Sequence, residues 1–394
     1  MCTCSIKTAI VGIGNMGSAH AQCIFEGKIE GMTLSEVCDI NTERLNKFAQ
    51  EHPGVDIYES FDEMLEKGNA DAVIIAVPHR FHSDFAEKAL TKGRHVLVEK
   101  PADVSVSNVI RANKVAEKSG KVYAIMFNQR TNPLFAKARE ILKSGELGEL
   151  KSTTWIITNW FRTQSYYNSG GWRATWAGEG GGVLLNQAPH QLDLWQWICG
   201  MPDSVTAFCD VGLYHDIEVE DNAKIITKYK NGAQGVFITS TGEYPGTNRL
   251  EVMCDKGKLV LENGILKQWK LSKATSEVCH TSEKSFDGIP FEYSEHNPEG
   301  TETGHMGILK NFTNAILYGE ELISPGSDGI YELTLSNAAY MSQWKNNAEI
   351  KLPLDTAEFD MLLSEKVKTS KYICDESKSE SNKQYSERWK VRWE

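Results

Sequence analysis

At 394 residues the chain exceeds one ordinary hydrophobic core and is expected to form two domains. A formal net charge of −11, with 24% charged and 41% hydrophobic residues, describes a soluble globular protein. That charge argues against a nucleic-acid partner, which would show a basic patch, yet leaves room for a local basic pocket.

The N-terminus, MCTCSIKTAIVG, lacks the long apolar run of a signal peptide, and no apolar run approaches the length of a membrane span. The nine cysteines are scattered, with no Cys-x-x-Cys pair, which suits reduced thiols in the cytoplasm. Cys2 and Cys4 have no further ligands near them in sequence, so no metal site is expected.

Strand signals TAIVGI, LSEVCD, DAVIIAV, HVLVEK and KVYAIMF alternate with helical-period segments such as TERLNKFAQE and HSDFAEKALTKG. This alternation predicts a parallel sheet covered by helices on both faces, a doubly wound domain over residues 1–127 with its crevice at the strands' carboxyl ends. Past a helix near PLFAKAREILKSG the pattern changes. Strands follow strands at KSTTWIITNW, SVTAFCDVGL, NAKIITKYK, AQGVFITST, RLEVMCD and KLVLENG, predicting a largely antiparallel sheet in an α/β domain over 128–370. Helices near GHMGILKNFTNAILYG and GIYELTLSNAAYMSQWKN should pack near the domain junction. A polar tail, 371–394, ends in Tyr385, Trp389 and Trp393, whose spacing suits docking on this chain or a neighbouring subunit.

The first strand opens into Gly12-x-Gly14-x-x-Gly17. The spacing alone is a weak signal. The preceding strand, the following helix and Asp39 at the end of the next strand together make it a dinucleotide-binding turn. Gly12 would allow the tight turn, Gly14 the approach of a pyrophosphate, and Gly17 close helix packing. Asp39 can accept hydrogen bonds from the adenosine ribose and repels a 2′-phosphate, favouring NAD over NADP; it also suits a helix cap. Arg44, five residues on, bears on the same choice.

A buried-looking strand ends in Glu99, Lys100 and Pro101. An ammonium held there, at the crevice, can stabilise a developing alkoxide and exchange a proton; capping a strand end is the alternative. In WRATWAGEGGGVLLNQAPHQLDLWQW, Gly180 to Gly182 permit a close backbone approach before a helix. Asn186 and His190 fall at i and i+4 on that helix, with Asp193 three further on to orient the imidazole. His190 could serve as general base or as an ordinary structural histidine. Between Trp155 and Trp176 lie Trp160, Phe161, Tyr166, Tyr167 and Trp172, near Asn159, Arg162 and Arg173. These suit a sugar's faces and hydroxyls or a sheet interface, the loop members Tyr166 to Trp176 leaning to substrate.

The segments GIGNMG, AVPHRFHSDFAEKALTKGRHVLVEKP, FNQRTNP, SGELGEL and GGGVLLNQAPHQLD resemble the Gfo/Idh/MocA family over about residues 6 to 350. The resemblance implies a Rossmann domain followed by an α/β domain whose open, largely antiparallel sheet forms homo-oligomer contacts. It implies Lys100 and His190 as the active-site lysine and histidine. It implies NAD contacts from Gly12, Gly14, Asn15, Met16, Gly17, Asp39, Pro78, His82, Glu99, Lys100 and Asn128. Substrate contacts are expected from Lys100, Arg162, Trp172, Arg173, Asn186 and His190. Inositol dehydrogenases carry aspartate where this chain has Asn186; the form GGGVLLNQAPH looks like members that oxidise the C3 hydroxyl of hexosides or nucleotide-linked sugars. The implied activity is NAD-dependent oxidation of a secondary hydroxyl of a sugar or glycoside. A redox-assisted glycosidase and a dinucleotide-binding regulator are the alternatives.

Overall fold

A computed structural model describes residues 5–170, 172–297, 300 and 303–371. Cys2, Cys4 and the aromatic tail with Tyr385, Trp389 and Trp393 lie outside the described residues.

Strands β1 (Ile6–Val11), β2 (Met32–Cys38), β3 (Asp56–Tyr58), β4 (Ala72–Ile75), β5 (His95–Val98) and β6 (Tyr123–Ile125) form a parallel sheet. Their order is β3-β2-β1-β4-β5-β6. Runs such as Ala9-Ile10-Val11 and Val73-Ile74-Ile75 are buried on both faces, which is what helices on both sides of a sheet require. Strand order reverses between β1 and β4, so their carboxyl ends diverge and open a crevice. The three-residue β3 is absent from the sequence expectation because Asp56 and Ile57 are exposed and supply no hydrophobic period.

The second sheet holds β7 (Leu150–Ile157), β8 (Ser204–Val211), β9 (Glu220–Lys228), β10 (Gln234–Ser240), β11 (Asn248–Cys254), β12 (Gly257–Glu262), β13 (Ile265–Leu271), β14 (Phe291–His296) and β15 (Ile350–Lys351). Its order is β14-β13-β12-β11-β7-β10-β9-β8-β15, and every pair is antiparallel except β7 with β10. Alternate side chains of β9 and β10 point inward, giving the half-buried period of two. On that inner face Trp195, from the helix Pro189–Cys199, packs against Phe237 of β10 with ring centroids 5.4 Å apart, beside Trp155 of β7.

Packing does not follow the chain at residue 127. The helix Gly304–Tyr318 returns to the first sheet, where Ile308, Leu309 and Phe312 share a core with Ile10, Ile24, Ile74 and Leu97. This return brings the start of that helix to the crevice. Among the described residues, no helix is long and apolar enough to cross a membrane.

Candidate active site

The three glycines of the turn do different physical work. Gly12 has φ +86°, and a Cβ there would sit 2.5 Å from the Ala76 carbonyl oxygen of the adjoining strand end. A Cβ on Gly17 would lie 1.8 Å from the Gly12 carbonyl oxygen, so this glycine lets helix Asn15–Phe25 seat on the turn. At Gly14 a Cβ would meet nothing within 4 Å. The helix starting at Asn15 has no side-chain cap, so its first amides are left for an anion. Open space at Gly14 beside an uncapped helix start fits a dinucleotide pyrophosphate.

Asp39, just past β2, is buried and accepts from the Ile13 amide at 2.9 Å through Oδ2 and from the Asn41 amide at 2.9 Å through Oδ1. The cap of the next helix is Asn41, not Asp39: its side chain accepts from the Arg44 amide. Arg44 turns back onto Asp39, Nη1 to Oδ2 at 2.9 Å, so its charge is already engaged where a 2′-phosphate would need it.

Glu99 is buried at the end of β5 and lies 2.7 Å from His20 Nε2. Burial pushes its carboxyl up, but the His20 hydrogen bond and the charges of His20, His305 and Lys100 pull it down to about 2. His305 comes from the returning helix and sits 3.2 Å from Asn128 Nδ2. Lys100 reaches across the crevice and donates from Nζ to the Asn186 carbonyl oxygen at 2.9 Å.

Asn186 and His190 do not share one helix. Asn186 ends the short helix Val183–Asn186, and His190 lies in the first turn of Pro189–Cys199. Pro189 has no N–H to continue the first helix but suits the start of the second, so the chain breaks at Gln187–Ala188. Both side chains still line one cleft with Lys100. Asp193 does not orient His190. It is fully buried and forms a two-pronged ion pair with Arg130, Oδ2 accepting from Nε at 2.8 Å and Oδ1 from Nη2 at 2.6 Å.

The glycine run approaches protein rather than ligand. Cβ atoms on Gly180, Gly181 and Gly182 would fall 2.4 Å from Val104, 2.2 Å from the Tyr340 hydroxyl and 1.9 Å from the Glu220 carbonyl oxygen. Glu220 in turn accepts from the amides of Gly182 and Leu184, both at 2.9 Å, and so holds the turn that presents Asn186.

The aromatic stretch divides. Trp155, Tyr167 and Trp176 are core residues, while Trp160, Tyr166 and Trp172 line the cleft. The guanidinium of Arg162 lies 5.2 Å and that of Arg173 4.8 Å from the centroid of the Tyr166 ring, and Arg173 Nη1 donates to the Tyr166 hydroxyl at 2.9 Å.

The cleft, about 1290 Å³, runs from Asp39 past Gly14, Asn15, Met16, Pro78, Glu99 and Asn128 to Lys100, Arg162, Trp172, Arg173, Asn186 and His190. The His82 ring lies outside this lining: it is buried, with Nδ1 and Nε2 each 2.7 Å from the carbonyl oxygens of Pro101 and Val77. Three residues the sequence reading passed over belong to the site. His79 lines the cleft edge-on to Trp172, and burial holds its imidazole well below the usual range and therefore neutral. His305 lines the cleft beside Asn128, and Glu179 lies buried beneath Asn186. All three stand in segments with other readings, a Pro-His turn, a glycine run and the start of the helix GHMGILKNFTNAILYG, and nothing local marks His305 as the neighbour of Asn128, 177 residues away. Among the described residues no cluster of His, Cys, Asp and Glu could hold a metal ion.

Two family models match the chain: "Oxidoreductase family, NAD-binding Rossmann fold" over residues 6–127 and "GFO/IDH/MocA C-terminal domain" over 135–260. Myo-inositol 2-dehydrogenase of Thermotoga maritima is 24% identical over 343 residues, spanning 86% of this chain and 96% of its own. The WlbA dehydrogenase of Bordetella pertussis, solved in complex with NADH and UDP-GlcNAcA, is 27% identical with a TM-score of 0.74, covering 89% of this chain and 100% of that one. Levoglucosan dehydrogenase, solved with NADH and levoglucosan, shares the fold at 18% identity, with a TM-score of 0.72 over 89% of this chain and 100% of its own.

Proposed function

The chain belongs to the GFO/IDH/MocA oxidoreductase family, and we propose that it oxidises a secondary hydroxyl, at C3, of a sugar or glycoside. Its cofactor is NAD, which when bound supplies the hydride acceptor. The observation that carries the reading is the Lys100 Nζ–Asn186 O contact of 2.9 Å, which gathers Lys100, Asn186 and His190 at the far end of the cleft that begins at Gly14. Lys100 donates to the reacting oxygen and favours its alkoxide character; His190 takes the hydroxyl proton. Trp160, Tyr166 and Trp172 offer ring faces to a pyranose, with Arg162 and Arg173 at its hydroxyls. The sugar class draws support from the WlbA likeness and its nucleotide-sugar ligand, and the C3 position from the form GGGVLLNQAPH.

We further propose a cytoplasmic homo-oligomer built over the outer face of the second sheet. The exposed Phe208 of β8 and Ile226 of β9 on that face, and the thiol state of the six described cysteines, support this.

The test is incubation with NAD and a panel of glucosides, hexoses, nucleotide sugars and inositols, following NADH absorbance and product mass. NADH with a product two hydrogens lighter is expected from a glycoside, and Lys100→Ala or His190→Ala should abolish it. Sugar release without NADH would point to internal redox recycling instead. Silence across the panel would sink the assignment.

A further inference from the structure

We infer that Glu179 is a positioning residue: its buried carboxylate fixes the amide of Asn186 so that Oδ1 faces the cleft as the acceptor for a substrate hydroxyl. This rests on the reading of Asn186 as a substrate contact.

Glu179 is 1% exposed, yet both its oxygens are occupied. Oε2 accepts from the Ala174 amide at 2.7 Å, and Oε1 accepts from Asn186 Nδ2. Two N–H donors suit a carboxylate, which is acceptor-only. Turned over, the amide would set Oδ1 against a carboxylate oxygen, so Glu179 admits one orientation of Asn186. Nδ2 is thus spent on Glu179, and Oδ1 is left to the cleft that Asn186 lines. The backbone oxygen of the same residue is held by Lys100 Nζ. One residue is therefore fixed at both ends, its side chain by a buried anion and its carbonyl by the lysine assigned to the reacting oxygen. Burial pushes the Glu179 carboxyl up, while the charge of Arg173, the Ala174 and Asn186 hydrogen bonds and the charge of Lys100 oppose it and favour the carboxylate that the two donors require. It touches neither cofactor space nor substrate space directly: it is absent from the cleft lining.

The test is an isosteric swap. In Glu179→Gln the carboxamide oxygen stays on the Ala174 amide, so Nε2 faces Asn186 and turns its amide over, and Asn186→Asp opposes two carboxyl groups. The double variant restores an amide–carboxylate pair of reversed polarity, with an acceptor still facing the cleft. Each single variant should raise KM for the sugar about 10- to 100-fold, with a smaller fall in kcat and unchanged NAD affinity by calorimetry. The double variant should return KM to within about threefold of native, a rescue expected of a coupled pair. A Glu179→Gln enzyme with native KM, or a double variant no better than the product of the singles, overturns the inference. A single variant that no longer binds NAD has lost its fold, and the double variant then decides alone. Native protein that oxidises no sugar removes the proposed function, and this inference with it; native turnover with an indifferent Glu179→Gln removes only this inference.

Discussion

Gly14 and Gly17 stand three residues apart in one motif, and alanine at each should fail differently. At Gly17 the new methyl would meet the Gly12 carbonyl oxygen at 1.8 Å, a backbone atom that yields only if the turn moves by more than an ångström. Overpacking costs about 1–3 kcal/mol, and a rigid backbone partner puts this case near ~3. At about 2–4 °C per kcal/mol, Gly17→Ala should lower Tm by roughly 6–12 °C. Gly14→Ala meets nothing within 4 Å and has φ −68°, open to any residue. Its stability should match native or exceed it by about 0.4–1 kcal/mol, through a less flexible unfolded chain. The methyl instead occupies the approach of the pyrophosphate and displaces charge-assisted hydrogen bonds worth about 1.5–3 kcal/mol each, so NAD affinity should fall about 10- to 100-fold. Thermal unfolding with and without NAD separates the two. At a concentration of about 100 native Kd the native protein gains roughly 2.7 kcal/mol, whereas a 100-fold weakened Gly14→Ala gains only about 0.4. Native NAD affinity in Gly14→Ala, or native Tm in Gly17→Ala, would refute this division of labour.

Asp193→Ala should destabilise by about 1.5–3 kcal/mol in urea, because it removes the two-pronged partner of the buried Arg130 guanidinium and leaves that charge with Asp328 alone; native stability with impaired turnover would instead return Asp193 to His190. Asp39→Ala removes the carboxylate expected to meet the adenosine ribose and frees Arg44, so the preference for NAD over NADP in kcat/KM should fall at least about tenfold; an unchanged ratio would place cofactor choice elsewhere. Glu99, held down to about 2 from 4.5, stabilises the fold fully above pH 4.5, and this contribution drains away as pH falls through 2. The span is worth about 3 kcal/mol, so Glu99→Gln should flatten the acid limb of a stability–pH profile between pH 5 and 2, read by circular dichroism; an unaltered limb would refute it.

What could be read from sequence was what is local. The turn Gly12–Gly17 is contiguous, and Lys100 follows a strand whose burial its own Val96-Leu97-Val98 run announces. The three-residue β3 and the exposed β14 carry too little hydrophobic period to register. Polar partnership was the harder part, because spacing shows which residues share a helix face and not which distant group reaches them first. Asp193 is three residues from His190 but belongs to Arg130, 63 residues away, a buried charge that it shares with Asp328. The run Gly180–Gly182 misleads for a related reason: a missing Cβ reports that space is filled without reporting by what, and here Val104, Tyr340 and Glu220 fill it. Glu179 joins both cases. Seven residues before Asn186 and beside those glycines, it reads as an ordinary loop carboxylate. Only the fold, by burying it under the very side chain that faces the cleft, gives its charge a direction.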